Sequence, residues 1–505
     1  MDPLDRLAVA YLTLPLAIFL IGWCEAWAAV PLLACVMYAL RPLAAGLPVR
    51  GARRPTTRLQ LIIAIAVGCA WTACGGTGHF VFANADWHVR DAVLHDLVAG
   101  PWPVGYGMLG GQDSLLRAPI GYYLPAALIG KWGGLSAAHL ALAAWTAAGA
   151  SLFLLQALSL TPSRAATVLT AAAVIVLFSG LDVIGTLWHV PALIGHWDIT
   201  RHLEWWAGRY QYSSMTTQLF WVPNHALAGW LTVGVLGRDP HGTPLESMLP
   251  MMVVATALWS PLTALGLVPS ALLTACAAMA RERSLGLLHP RVWAPALLVG
   301  IVVAAYLTLD SARIPRGFMI GRSGAGVAGV AMDLARHAEF FLLEAGFIGL
   351  AILAIRRSSE VILALAILAL LPLFSFGAAN DFVMRTSIPS LAVLAVGASL
   401  ALTRVALKGA DRARKAVLGC LLAAGAVTPI QEFARAAVRP AWPINLQATL
   451  IGAACGQYPP HYVARLRGQA VLRILRRPRP LAPGPQEAEA CVNPAAGLPR
   501  ERGLT

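Results

Sequence analysis

Apolar residues along this chain fall into long, nearly unbroken runs, the clearest being Leu135–Ala157, Ala165–Leu181, Leu249–Ala280, Trp293–Leu309, Val361–Phe376 and Pro389–Leu402. Runs of this length can cross a hydrocarbon core of about 30 Å. In lipid each backbone polar group must bond within its own segment, so the runs are expected to be helices. Spans are predicted near 8–22, 27–40, 59–75, 135–157, 165–181, 217–236, 247–259, 262–280, 292–309, 339–355, 361–376, 388–402 and 416–430. Two of these are ambiguous: 8–40 reads equally as one long helix, and 247–280 as one bent at Pro261. The expected fold is an all-α, polytopic bundle of about 12–13 spans (an estimate from run lengths). A cell-membrane, multi-pass protein follows.

Composition agrees, with 58% hydrophobic and 12% charged residues in 505. A soluble domain carries about 25% charged residues. The net charge of +14 would suggest nucleic acid in a soluble protein. Here the arginines lie between spans, where they set orientation and meet anionic lipid, and no nucleic-acid-binding motif occurs. Eight cysteines, most of them inside apolar runs and none in a C-x-x-C pair, argue against a disulfide or zinc framework. The Met1–Arg6 start lacks a basic region and a cleavage site, so the first apolar stretch is expected to remain as an anchor.

Lys and Arg then orient the chain. With 41–58 placed inside, the short inner segments hold seventeen basic residues and the longer outer ones ten. Residues 119–130, apolar but broken by Pro119 and Pro125, would reverse every later loop if they spanned, so they are expected to be re-entrant or interfacial. The chain divides into N-terminal anchoring spans with a basic segment (1–58), a core (59–430) with outer loops 76–134 and 182–216, and a polar Arg/Pro-rich tail (431–505). Pro478–Pro485 and the last twenty residues read as disordered. Parity places the tail outside, whereas its arginines favour the inside.

Half of the 24 acids and eight of the twelve histidines fall in the outer loops or at their membrane edges, which marks them as candidate chemistry. The densest segment is DWHVRDAVLHDL at 86–97. At helical spacing Val89, Val93, Leu94 and Leu97 share one face and His88, Asp91 and His95 the other, an amphipathic helix expected on the outer membrane surface. Asp86 would be its N-cap, beside Trp87, or a base or metal ligand at the membrane edge. His88, Asp91 and His95, at i, i+3, i+7, are candidate metal ligands or a solvated face. The 182–216 loop sets Arg201 and Arg209 among Trp188, Trp197, Trp205 and Trp206. A planar guanidinium suits a phosphate, although snorkelling arginines in an aromatic belt look the same. WVPNHALAGW (221–230) places Asn224 and His225 after a proline, and NDFVMRTSIP (380–389) places Asp381 and Arg385 four apart. That pair is a structural salt bridge or a phosphate clamp with its orienting acid.

This arrangement resembles the GT-C class of integral membrane glycosyltransferases, and the two strings are similar to those of uncharacterised bacterial multispan proteins. The resemblance implies a first long outer loop with an acid that acts as base or metal ligand, matched here by Asp86. It also implies a polyprenyl-phosphate sugar as donor. Arg385 would be the leading clamp and Arg201 the second, with Trp87, Arg90, Arg209, Asn224, His225 and Asp381 as further substrate contacts. Two departures stand out: two spans precede the acid loop, and Trp87 follows Asp86 where a second acid is common. The metal requirement stays open. Membrane lipid and the donor lipid are the expected partners, and nucleic acid is not. The competing readings are a transporter or flippase of lipid-linked glycans, a polymerase or ligase of such glycans, and a non-catalytic membrane protein.

Overall fold

The computed structural model describes residues 2–44, 56–194, 197–208, 210–238, 247–324, 326–377, 380–404, 409–454, 458–466 and 473–481. Among them, helices α1 (Pro3–Trp23), α2 (Ala26–Ala44) and α3 (Arg58–Ala73) lead to α4 (Asp86–Ala99), which lies in the 76–134 segment. After it come α5 (Leu124–Leu158), α6 (Ala165–Val176), α7 (Asp182–His189), α8 (Met215–Trp221) and α9 (Pro223–Arg238). The second half holds α10 (Leu249–Trp259), α11 (Pro261–Glu282), α12 (Pro290–Thr308), α13 (Val327–Phe341), α14 (Phe347–Ile355) and α15 (Ser359–Leu370). It closes with α16 (Asp381–Thr386), α17 (Ile388–Arg404), α18 (Ala410–Gly425) and α19 (Val427–Val438). Seven helical segments are long and apolar enough to cross a membrane, and five apolar helices of 10–17 residues accompany them. The chain is a multi-pass helical bundle.

The ambiguous spans resolve for local reasons. The stretch 8–40 is two helices: α1 ends at Cys24, and the Glu25 N–H donates to the Ile474 carbonyl in the tail at 2.8 Å. The stretch 247–280 is also two, because Ser260 is extended (φ −165°) and its hydroxyl caps the helix that Pro261 begins. Proline at a first helical turn loses no bond the helix would have made. Residues 124–133 form a helix that Gly134 (φ 80°) breaks from the span behind it. Ten residues reach only about 15 Å, too short to cross, as expected for that segment. α3 lies against α5 at Gly68, where any Cβ would run into Ser151, the small-residue approach that lets two membrane helices touch.

Three expectations change. α4 is not an amphipathic helix on the membrane surface: Trp87, Arg90, Asp91, Val93, Leu94, Asp96 and Leu97 are all buried. Its polar side is met by polar partners, since Asp96 accepts from the Tyr106 hydroxyl at 2.7 Å and from the Leu450 N–H at 3.0 Å. Asp86 is not the N-cap. Ala85 holds that position, and the Asn84 side chain accepts the Asp86 N–H at 3.0 Å.

The tail is the third. α19 carries the last span on to Val438, with Gln431, Glu432 and Arg435 buried. Beyond it the chain folds back on the 76–134 segment. β1 (Val104–Leu109) and β2 (Gln112–Leu116) form a hairpin that β5 (Val463–Arg465) and β6 (Arg479–Pro480) extend, in the order β5-β2-β1-β6. Leu115 stands opposite Ala464, and Arg465 reaches Asp310 at 3.0 Å. The described part of Pro478–Pro485 is therefore paired, and the remainder lies outside the described residues. This pairing puts the tail on the side of the 76–134 loop, as parity requires. A short ladder of β3 (Arg316–Phe318) with β4 (Phe374–Phe376) props the start of α16.

Candidate functional site

A cavity of about 230 Å³ opens among Ala118, Pro119, Tyr123, Asn224, His225, Asp381, Arg385, His461 and Tyr462. Four of the residues singled out from sequence, Asn224, His225, Asp381 and Arg385, converge here from two segments about 160 positions apart.

Each wall has a local cause. Asp381 opens α16 and Arg385 follows one turn later, so Nη2 reaches Oδ1 at 2.8 Å. Gly377 (φ 91°) precedes them because a Cβ there would press on the Asp381 carboxylate. The Arg385 carbonyl accepts from the Thr263 hydroxyl at 3.2 Å, which fixes α16 on the first turn of α11.

Opposite, Arg90 repeats the pattern. Its Nη2 donates to Asp86 Oδ2 at 3.1 Å and its Nη1 to Asn224 Oδ1 at 2.6 Å, with Tyr123 Oη at 3.4 Å. Guanidinium nitrogens only donate, so Asn224 accepts through oxygen and offers its amide N–H to His225 Nε2 at 3.1 Å. His225 is then the Nδ1–H tautomer and donates to Ser260 Oγ at 2.8 Å. Ser260 passes the chain to Thr263 Oγ1 at 2.7 Å. A continuous hydrogen-bonded path thus runs from Asp86 to the Ser260 break, and His225 is locked neutral within it.

The tail closes the cavity. The Arg117 N–H donates to the Tyr462 carbonyl at 2.7 Å, its guanidinium to the Pro460 carbonyl, and the Leu466 N–H to the Asp113 carbonyl at 2.8 Å. Tyr462 stands within electrostatic reach of both Arg90–Asp86 and Arg385–Asp381, and burial pushes its phenol up from the usual value. Burial lowers His461; Asp381 pulls it back up, and Arg385 and Arg117 add to the lowering.

The other candidates lie elsewhere. Asp86 does not line the cavity; its side chain is half-exposed, engaged by Arg90. Trp87 is fully buried, with its indole N–H on the Phe220 carbonyl at 3.0 Å. The proposed His88, Asp91, His95 set is not brought together. His88 stacks on Trp442, His95 meets Asp96 at 3.1 Å, and Asp91 is buried against His79 (2.9 Å) with His139 at 3.9 Å. A helix places residues four apart together only when nothing stronger draws them off, and here loop and tail partners do. Among the described residues no group of three or more His, Cys, Asp or Glu is arranged to hold a metal. Arg201 is not among the residues that line the cavity, and its carbonyl accepts from Arg435 Nη2 at 2.9 Å. Arg209 lies outside the described residues. His202 packs against both Trp205 and Trp221, which also meet each other edge-on, and Asp182, Glu204, Glu344 and Glu432 are buried acids of the same region.

His461, Tyr462, Arg117 and Tyr123 were not anticipated. Arg90, expected as a substrate contact, shares a local pattern with Arg385: DWHVR at 86–90 and DFVMR at 381–385 have an acid, an aromatic and an arginine at the same spacing. Both form i, i+4 ion pairs beside one cavity. No protein-family model, curated protein or solved structure matches this sequence.

Proposed function

We propose that the protein is a membrane-embedded glycosyltransferase that takes a sugar from a polyprenyl-phosphate donor on the outer face of the cell membrane. The observation that carries the reading is the cavity with Arg385 and Asp381 in its wall and Arg90 and Asp86 just behind. Transfer of a sugar from a lipid phosphate leaves charge on the departing phosphate, and a preorganised guanidinium stabilises it. Arg385 is the clamp and Asp381 aims it, while the lipid tail stays between helices. Asp86 holds Arg90 in place and is a positioning group in this arrangement. Asn224 and His225 fix the floor of the cavity.

Labelled sugar incorporation from polyprenyl-phosphate donors into membrane glycans tests the reading. Wild type should transfer label, and Asp381→Asn, which leaves Arg385 without its orienting charge, should transfer far less at equal membrane yield. Absence of transfer by wild type from every such donor would put the transporter reading in front.

A further inference from the structure

A transfer of this kind needs a group that takes the acceptor's proton, and the cavity wall holds three that could: His225, Asp381 and His461. Hydrogen-bond bookkeeping separates them. His225 has both ring nitrogens committed, one accepting from Asn224 and the other facing Ser260 Oγ at 2.8 Å. Asp381 is held by Arg385 at 2.8 Å, and a carboxylate tied to a guanidinium is a poorer proton acceptor than a free one. The His461 imidazole carries no hydrogen bond among the described residues, yet its backbone is fixed on both sides. The neighbouring Pro460 and Tyr462 carbonyls bind Arg117, and β5 begins two residues later against β2.

We propose that His461, supplied by the C-terminal tail, is the proton-transfer residue of the cavity; this rests on the transferase reading above. In the step, the acceptor's O–H gives its proton to a ring nitrogen of His461 as its oxygen bonds to the sugar carbon. The bond from that carbon to the phosphate oxygen breaks, and the electron pair leaves with the lipid phosphate, which Arg385 holds. The imidazolium then returns its proton to the departing phosphate or to water. The groups facing His461 are Asp381 and Arg385 from α16 and Arg117 from the end of β2. Burial and the two guanidiniums outweigh Asp381, so the imidazole is neutral at pH 7 and ready to accept.

The test is carried out on the full-length wild-type protein, by mapping diethyl pyrocarbonate modification of each histidine by peptide mass spectrometry between pH 5 and pH 8. His461 should be modified several-fold faster than His225, with a midpoint below the ordinary histidine value of about 6.5, and a polyprenyl phosphate should shield it. Modification of His461 no faster than that of His225 would overturn the proposal. Rapid modification that the lipid phosphate does not slow would instead count against the transferase reading, leaving an open imidazole. In sugar transfer, His461→Gln should lose a factor of roughly a hundred to ten thousand in rate, together with the acid limb of the pH profile. An unchanged rate in that variant would also overturn it.

Discussion

Arg90 and Arg385 are paired alike, each to the acid one helical turn before it, yet they are exposed differently. Arg385 and Asp381 keep 28% and 16% of their side chains open, whereas Arg90 keeps 5%. A partly open pair contributes about 1 kcal/mol or less. Arg385→Ala should therefore leave membrane yield and thermal midpoint close to wild type while abolishing transfer. A protein that vanishes from the membrane would mean that the pair is structural. Asn224→Ala should behave in the opposite way. It strips the buried Arg90 Nη1 of its 2.6 Å acceptor, and a buried donor left unsatisfied costs about 1–3 kcal/mol. A clear fall in thermal midpoint in detergent is expected, and an unchanged midpoint would show that the Asp86-to-Ser260 path does not hold the fold.

At the scale of elements, hydrophobic run length located the apolar helices, seven of them long enough to cross a membrane, because it reports the one constraint lipid imposes. Ser260 and Cys24, where two ambiguous runs break, were harder to see: one break depends on a serine cap and the other on Ile474, some 450 positions away. Pro478–Pro485 read as disorder for the same reason, since Arg479 and Pro480 pair with Val104 and Gly105 of β1, far upstream in the chain. No local pattern announces such a pairing. The α4 helix misled because its polar face looked solvated, when Asp91 and Asp96 were destined for His79, Tyr106 and Leu450. The outer-loop acids carry a prediction of their own. Glu204, fully buried, is pushed up to about 8, by burial first and then by Asp182. It is neutral in the folded chain at pH 7 and ionised when unfolded. Because its folded value is raised, its stabilisation is complete below the ordinary glutamate value and is lost as pH rises through about 8. The thermal midpoint should fall as pH rises from about 5 to about 8 and level off above that. Glu204→Gln, which still accepts the Ser214 N–H seen at 2.8 Å, should flatten that slope. Parallel slopes in the two proteins would place the pH dependence elsewhere.

At the scale of the whole molecule, the basic clusters predict one sidedness, and the tail's pairing with the 76–134 segment puts the two on the same side. In a cysteine-free background, a membrane-impermeant thiol reagent added to whole cells should label Met108→Cys in β1 and Leu446→Cys in the tail, both exposed. It should spare the equally exposed Leu285→Cys in the 281–291 segment. Labelling of Leu285 alone would invert the protein and remove the cavity from the outer face. Two of the cavity's walls, from α9 and α16, were each visible as odd strings in the sequence, but their convergence was not, because helix packing and not spacing brings them together. That convergence is what a ligand would report most directly. A polyprenyl-phosphate sugar bearing a photoreactive group on the sugar should, on irradiation in membranes, attach to peptides containing 117–124, 380–386 and 458–465, and Arg385→Ala should abolish the attachment. Attachment confined to other helices, or undiminished in Arg385→Ala, would contradict a lipid-phosphate site in this cavity.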